Sequence, residues 1–204
     1  MKRLSLKIVT RLVASISLLL LALPALAHPD ASHGAISHGG FSAGFLHPLT
    51  GLDHLLAMLA VGIWAAQSQG KARWALVLSF PMMMMVGALI GTLGVQPAGV
   101  ELTIALSVAV LSLLIAFAIT LPTAVSAALV AFFAIFHGYA HATELPAVSS
   151  ILAYAAGFML ATTALHFIGL SFGLLQKNKF NFMLSRLSGI DIATAGGFFL
   201  FGLA

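Results

Sequence analysis

Apolar residues fill this chain in long blocks separated by brief polar breaks. After a first polar stretch, six blocks follow at about 45–67, 72–94, 101–120, 122–142, 147–175 and 190–203. Several reach the roughly 20 residues needed to cross a hydrocarbon core. Leu121-Pro122 divides the third block from the fourth, and Leu145-Pro146 the fourth from the fifth. The last block is short for a full span. The pattern predicts an all-α, polytopic membrane helical bundle of about six transmembrane helices over 45–204, with no room for a soluble domain.

Two further segments precede the bundle. Residues 1–27, MKRLSLKIVTRLVASISLLLLALPALA, have a basic start, an apolar centre and a small-residue end, the layout of a cleavable signal peptide. An uncleaved first helix is the alternative. Residues 28–44 are rich in His and Gly, too polar to span, and are expected to lie on the outer, periplasmic side with His28 as the mature N-terminus.

Charge then fixes orientation. The chain carries a formal +4, but Lys2, Arg3, Lys7 and Arg11 belong to the signal. The mature part balances Lys71, Arg73, Lys177, Lys179 and Arg186 against Asp30, Asp53, Glu101, Glu144 and Asp191. Net charge is therefore no argument for a nucleic-acid partner. With residue 28 outside, the first helix runs inward and all five basic residues fall in cytoplasmic loops, as the positive-inside rule requires. The bilayer concerned is the bacterial inner membrane. No cysteine is present, so there are no disulfides.

Small residues supply packing. Gly87-x3-Gly91 and Gly169-x3-Gly173 allow helix backbones to approach closely. Met82, Met83, Met84 and Met85 are consecutive, about 100° apart around a helix, so four thioethers cannot converge on one ion. They read as lipid-facing or packing methionines. Glu101 and Asp191 are expected near helix ends, Glu101 favourably at a helix start.

Two polar clusters interrupt the apolar blocks. In HPLTGLDH, His47 and His54 are seven residues apart and share a face if the block is one helix, with Asp53 beside them. His47-Pro48 suits a helix start. In FHGYAHATE, His137, His141 and Glu144 line one stripe. The topology places both clusters toward the outer side. If the first and fourth helices are neighbours, they surround one site.

Charged groups at a helix centre cost about 2.5–3.5 kcal/mol on insertion scales, so they face partners or a water-filled cavity. Imidazole with carboxylate suits Ni²⁺, Co²⁺ or Zn²⁺. Interhelical hydrogen bonding is the alternative. His166, deeper in the fifth helix below Thr162 and Thr163, is a candidate second station, or a structural hydrogen-bonding residue. His28, His33 and His38 are candidates for weak metal capture outside.

HPLTGLDH matches the H-x5-D-H motif, and FHGYAHATE resembles the F-H-G-x-A-H-G-x-E motif, of the HupE/UreJ family. The resemblance extends over essentially the whole chain. It implies a membrane protein of nickel uptake serving hydrogenase or urease, with His47, Asp53, His54, His137, His141 and Glu144 as metal-motif residues. Ala142 stands where the family pattern has Gly.

A permease for a divalent cation, most simply Ni²⁺, is therefore expected, with the metal and the lipid bilayer as partners and no organic cofactor. No G-x-x-x-x-G-K-[ST] phosphate loop occurs, and no ATPase subunit is evident. The competing readings are an intramembrane zinc hydrolase, with Glu144 as general base, and a nickel-binding accessory protein that does not transport.

Overall fold

The computed structural model describes residues 40–143, 150–175 and 179–201. The proposed signal peptide, His28, His33, His38 and Glu144 lie outside the described residues. Every described element is an α-helix: α1 Gly40–Thr50, α2 Leu52–Gln67, α3 Lys71–Thr92, α4 Val100–Ala116, α5 Thr123–Thr143, α6 Ile151–Leu174 and α7 Lys179–Leu200.

Helices α3, α5 and α6 are each long and apolar enough to cross a membrane. The α1–α2 pair passes the same test as one broken span, and α4 is a shorter apolar helix. The outward surface is apolar, as a lipid-embedded protein needs. On α3 and its C-cap, Trp74, Leu78, Met82, Met85, Leu89 and Leu93 are exposed at three- and four-residue steps, forming one stripe along the helix. Met84 is buried, so the methionine run divides between lipid and core.

The first apolar block is not one helix. It breaks at Gly51, which is extended (φ −87°, ψ 113°), and α1 and α2 meet at 82°. His47 and His54 therefore do not share a helix face. Pro48 lies in the last turn of α1 rather than its first and has no N–H to continue the ladder. The Thr50 hydroxyl donates to the His47 carbonyl (2.7 Å), which ties off that turn. Helix α1 also begins at Gly40, so the last residues of the 28–44 segment are helical.

A second difference concerns the C-terminal part. The helix predicted at 190–203 instead covers Lys179–Leu200, so Lys179 and Arg186 lie within α7 and not in a loop. Arg186 Nε donates to the Ala116 carbonyl at 2.6 Å, satisfying one of the open acceptors at the end of α4. Asp191 lies mid-helix rather than near a helix end. Glu101 does occupy the first turn of α4.

Glycines set the helix pairing. A Cβ on Gly87 or Gly138 would overlap the Ile135 or Met84 carbonyl, so α3 and α5 cross backbone to backbone. Gly62 and Gly169 meet reciprocally between α2 and α6, with Gly173 against Ala66. Gly44 and Gly157 hold α1 on the first half of α6, and Gly189 and Gly196 lie against Ala116 and Ala109 of α4. Both predicted G-x3-G pairs are thus at close contacts. Ala142, the departure from the family motif, faces Gly91: a Cβ there would come within 2.9 Å of the Ala142 methyl.

The order of these contacts shows that α2, α4 and α6 run one way and α3, α5 and α7 the other. The ends of α2 and α4 are cross-linked, Trp64 Nε1 donating to Ile119 O (2.9 Å) and Gln67 Nε2 to Ile115 O (3.1 Å). Arg73 Nη2 donates to Ser68 O (3.0 Å) at the same end. Arg73 and Arg186 therefore gather at one end of the bundle, and the helix starts and ends bearing the HPLTGLDH and FHGYAHATE residues lie at the other.

Candidate metal site

Three helices contribute to the polar cluster. His47 comes from the end of α1, Asp53 and His54 from the first turn of α2, and His137 and His141 from the last two turns of α5. Helices α2 and α5 barely touch through their backbones; α2 packs on α6 and α5 on α3. The assumed pairing of the two motif-bearing helices is replaced by an encounter of side chains. His54 lies 4.9 Å from His137 and 4.3 Å from His141, ring centre to ring centre, and His47 lies 4.7 Å from His141.

His54, His137 and His141 are buried, while His47 and Asp53 are partly exposed. The cluster is thus reached from the end where α1 sits. Aromatic walls from α6 complete it. Phe158 is 4.2 Å from His141 and 6.3 Å from His47, and Tyr154 is 5.9 Å from His47. A cavity of about 80 Å³ lies alongside, lined by His141, Met84, Met85, Tyr154 and Phe158 among others.

Local hydrogen bonds orient two of these rings. Asp53 Oδ1 accepts from both the His54 backbone N–H and Nδ1, each at 2.8 Å. His137 Nδ1 lies 2.9 Å from the Phe133 carbonyl. A carbonyl or a carboxylate can only accept, so Nδ1 carries a proton, and in the neutral ring Nε2 keeps the lone pair. That is the tautomer in which a histidine binds a metal, its other nitrogen donating to a carbonyl or carboxylate. His54 Nε2 and His137 Nε2 are buried and have no hydrogen-bond partner among the described residues.

The rings nevertheless meet edge to face, His54–His137 at 82° and His47–His141 at 80°. Among the described residues, no three His, Asp or Glu side chains are grouped so as to hold a metal ion. The arrangement brings five predicted donors into one cluster with the lone pairs of His54 and His137 inside it, and coordination by three of them requires ring rotation.

His166 is apart from this cluster. It is fully buried, and its Nδ1 lies 2.7 Å from the Thr162 carbonyl, again leaving the lone pair on Nε2. Phe80 of α3 borders both histidines, its ring 5.4 Å from His137 and 5.1 Å from His166. Sequence reading missed Phe80, Tyr154 and Phe158. Only the four-residue spacing of Tyr154, Phe158, Thr162 and His166 on α6 could have signalled a shared face.

Comparison with known proteins agrees with the motifs. Protein HupE of Rhizobium leguminosarum bv. viciae is 43% identical over 160 residues, covering 78% of this chain and 84% of its own length. No solved structure matches. The family model described as HupE / UreJ protein matches residues 16–199, and this multi-pass membrane chain belongs to the HupE/UreJ family.

Proposed function

We propose that the chain is a permease that takes up a divalent transition-metal cation, Ni²⁺ in the first instance, from the periplasm into the cytoplasm to supply hydrogenase or urease maturation. The observation that carries this reading is the convergence of His47, Asp53, His54, His137 and His141 from three helices at one end of the bundle. Imidazole and carboxylate donors suit Ni²⁺, with Co²⁺ and Zn²⁺ as competitors. Glu144 follows α5 and is assigned to the same site on the family motif.

In this reading α1–α2, α3, α4, α5, α6 and α7 make six passes through the inner membrane. Residues 1–27 are removed as a signal peptide and the His-rich N-terminus lies in the periplasm. Placing Lys71, Arg73, Lys177, Lys179 and Arg186 inside then puts the histidine cluster on the periplasmic side. His28, His33 and His38 collect metal there, and His166 receives it on the inward path. The protein transports and does no covalent chemistry. A doubly charged ion gains about 4.6 kcal/mol per 100 mV of inside-negative potential, twice the single-charge value, so uptake can proceed without a bound ATPase.

The test is radioactive nickel uptake in cells lacking other nickel transporters, repeated in proteoliposomes under an imposed potential. Wild-type protein should accumulate nickel, and His54→Ala or His137→Ala at equal expression should not. Wild-type uptake no greater than that of either variant refutes the proposal.

A further inference from the structure

The second buried histidine and the aromatic ring in front of it go beyond the site just described. His137 and His166 are matched in three respects. Each is fully buried, each anchors Nδ1 on the carbonyl four residues earlier in its own helix, and each has a buried Nε2 with no hydrogen-bond partner among the described residues. A buried polar atom left so costs free energy unless something meets it. Two such atoms with the lone pair held on the same nitrogen suit two stops for one kind of ligand, a Lewis-acidic cation.

One side chain touches both stops. Phe80 is fully buried and its ring contacts both imidazoles. On α6, Tyr154, Phe158, Thr162 and His166 follow at four-residue steps, leading from the outer cluster to the inner histidine. Thr162 is fully buried, and its hydroxyl also has no hydrogen-bond partner among the described residues. Along α6 the Phe158 ring borders the outer cluster, and the polar positions Thr162 and His166 follow it at four-residue steps, with the Phe80 ring against His166 from the side.

Phe80 immediately precedes Pro81, a proline inside α3. Pro81 has no N–H for the Val77 carbonyl, which removes a rung of the helical ladder there, and such places are where helices bend. The ring thus projects from the turn of α3 that the proline leaves one hydrogen bond short.

We propose that Phe80 is the barrier between two cation stations, His54–His137 on the outer side and His166 on the inner, and that its displacement connects them. As a route for nickel this rests on the permease reading; as a barrier to access it does not, and the experiment separates the two.

The chain has no cysteine, so a single introduced thiol reports alone. Thr162→Cys is placed in the otherwise native protein and in the Phe80→Ala and Phe80→Leu variants. Right-side-out vesicles are then treated with a small cationic methanethiosulfonate. Labelling of Cys at 162 should be slow with Phe80 present and at least ten-fold faster with Phe80→Ala. Phe80→Leu, which keeps most of the volume and preserves packing, should fall between; if Phe80→Ala is not recovered folded from the membrane, the Leu variant decides. Equal labelling rates across the three overturn the barrier. In parallel, proteoliposome nickel uptake should rise at least three-fold in Phe80→Ala. Absence of nickel flux in the wild type overturns the permease reading, while the labelling rates continue to judge the barrier.

Discussion

The contact between Gly91 and Ala142 gives a quantitative prediction. Ala142 replaces a glycine of the family motif, and the structure accommodates its methyl because residue 91, opposite on α3, has none. A Cβ at 91 would lie 2.9 Å from the Ala142 methyl and 3.3 Å from the Tyr139 carbonyl. Two methyl carbons ordinarily sit near 3.5–4.0 Å, so Gly91→Ala must push α3 and α5 apart. Those helices cannot yield easily, because Gly87 and Gly138 already lock them backbone to backbone.

Overpacking of this kind costs typically 1–3 kcal/mol. Ala142→Gly alone should cost about 1 kcal/mol, the helix-propensity difference; lost burial adds little where lipid is as apolar as the partner. In the double variant the methyl–methyl clash disappears and only the tolerable Tyr139 contact remains. The two changes should therefore couple favourably by about 1–2 kcal/mol, well beyond the 0.3–0.5 kcal/mol within which independent sites add. The assay is thermal unfolding of the four proteins in one detergent, where 1 kcal/mol corresponds to about 2–4 °C in Tm for a chain of this size. Additive Tm shifts, or a Gly91→Ala variant as stable as wild type, refute the account of Ala142.

Two further predictions concern other sites. Helix α4 ends with Ala118 at φ 52°, and Ile119 N–H donates to Leu114 O (2.9 Å) and Ala118 N–H to Ile115 O (3.0 Å), the Schellman pattern that glycine favours. Ala118→Gly removes a left-handed penalty of about 1–2 kcal/mol against a glycine entropy cost of about 0.5–1 kcal/mol, a net gain of up to about 1.5 kcal/mol, so Tm should rise by up to about 6 °C; a fall contradicts it. At the cluster, Asp53→Ala frees the His54 ring and should raise the half-saturating nickel concentration for uptake about 10–100-fold. Asp53→Asn can still accept from Nδ1 and should lie between, so an Asn variant as impaired as Ala assigns Asp53 to charge alone.

Some of this was legible in the sequence and some was not, for identifiable reasons. Block lengths marked the chain as all-helical, because lipid-facing and core-facing positions are both apolar and leave long unbroken runs. Of the six spans expected, three described helices, or four with the broken α1–α2 pair, are long and apolar enough to cross. The same uniformity hid the break at Gly51: Pro48, Thr50 and Gly51 are turn residues, but apolar neighbours on both sides favour reading through them. The polar run Lys177–Asn181 reads as a loop, yet α7 begins at Lys179, and Arg186 is stabilised in the helix by a carbonyl of α4 that no local pattern reveals. The order of the blocks and the basic residues put both histidine motifs at one end of the bundle. Their meeting was an assumption, and the seven-residue spacing of His47 and His54 misled because the helix breaks at Gly51. Which helices touch was not legible, because glycine marks a close contact without naming its partner. Phe80 was invisible, since one more aromatic in an apolar helix carries no chemical signal of its own.

The exposed stripe on α3 has a bearing on where the protein sits. From Trp74 to Leu93 it is about 28 Å long at 1.5 Å per residue, close to the roughly 30 Å thickness of a hydrocarbon core. Trp74 suits the headgroup boundary at one end. Gly91 is near the other, and it abuts Ala142, the neighbour of His141. In the membrane orientation proposed above, a stripe of this length sets His141 about one helical turn below the opposite boundary. Membranes of different acyl-chain length change that depth through hydrophobic mismatch, drawing the histidines into water when thin and sinking them beneath lipid when thick. For the permease proposed above, bilayer thickness is then a control on how easily a cation reaches the cluster.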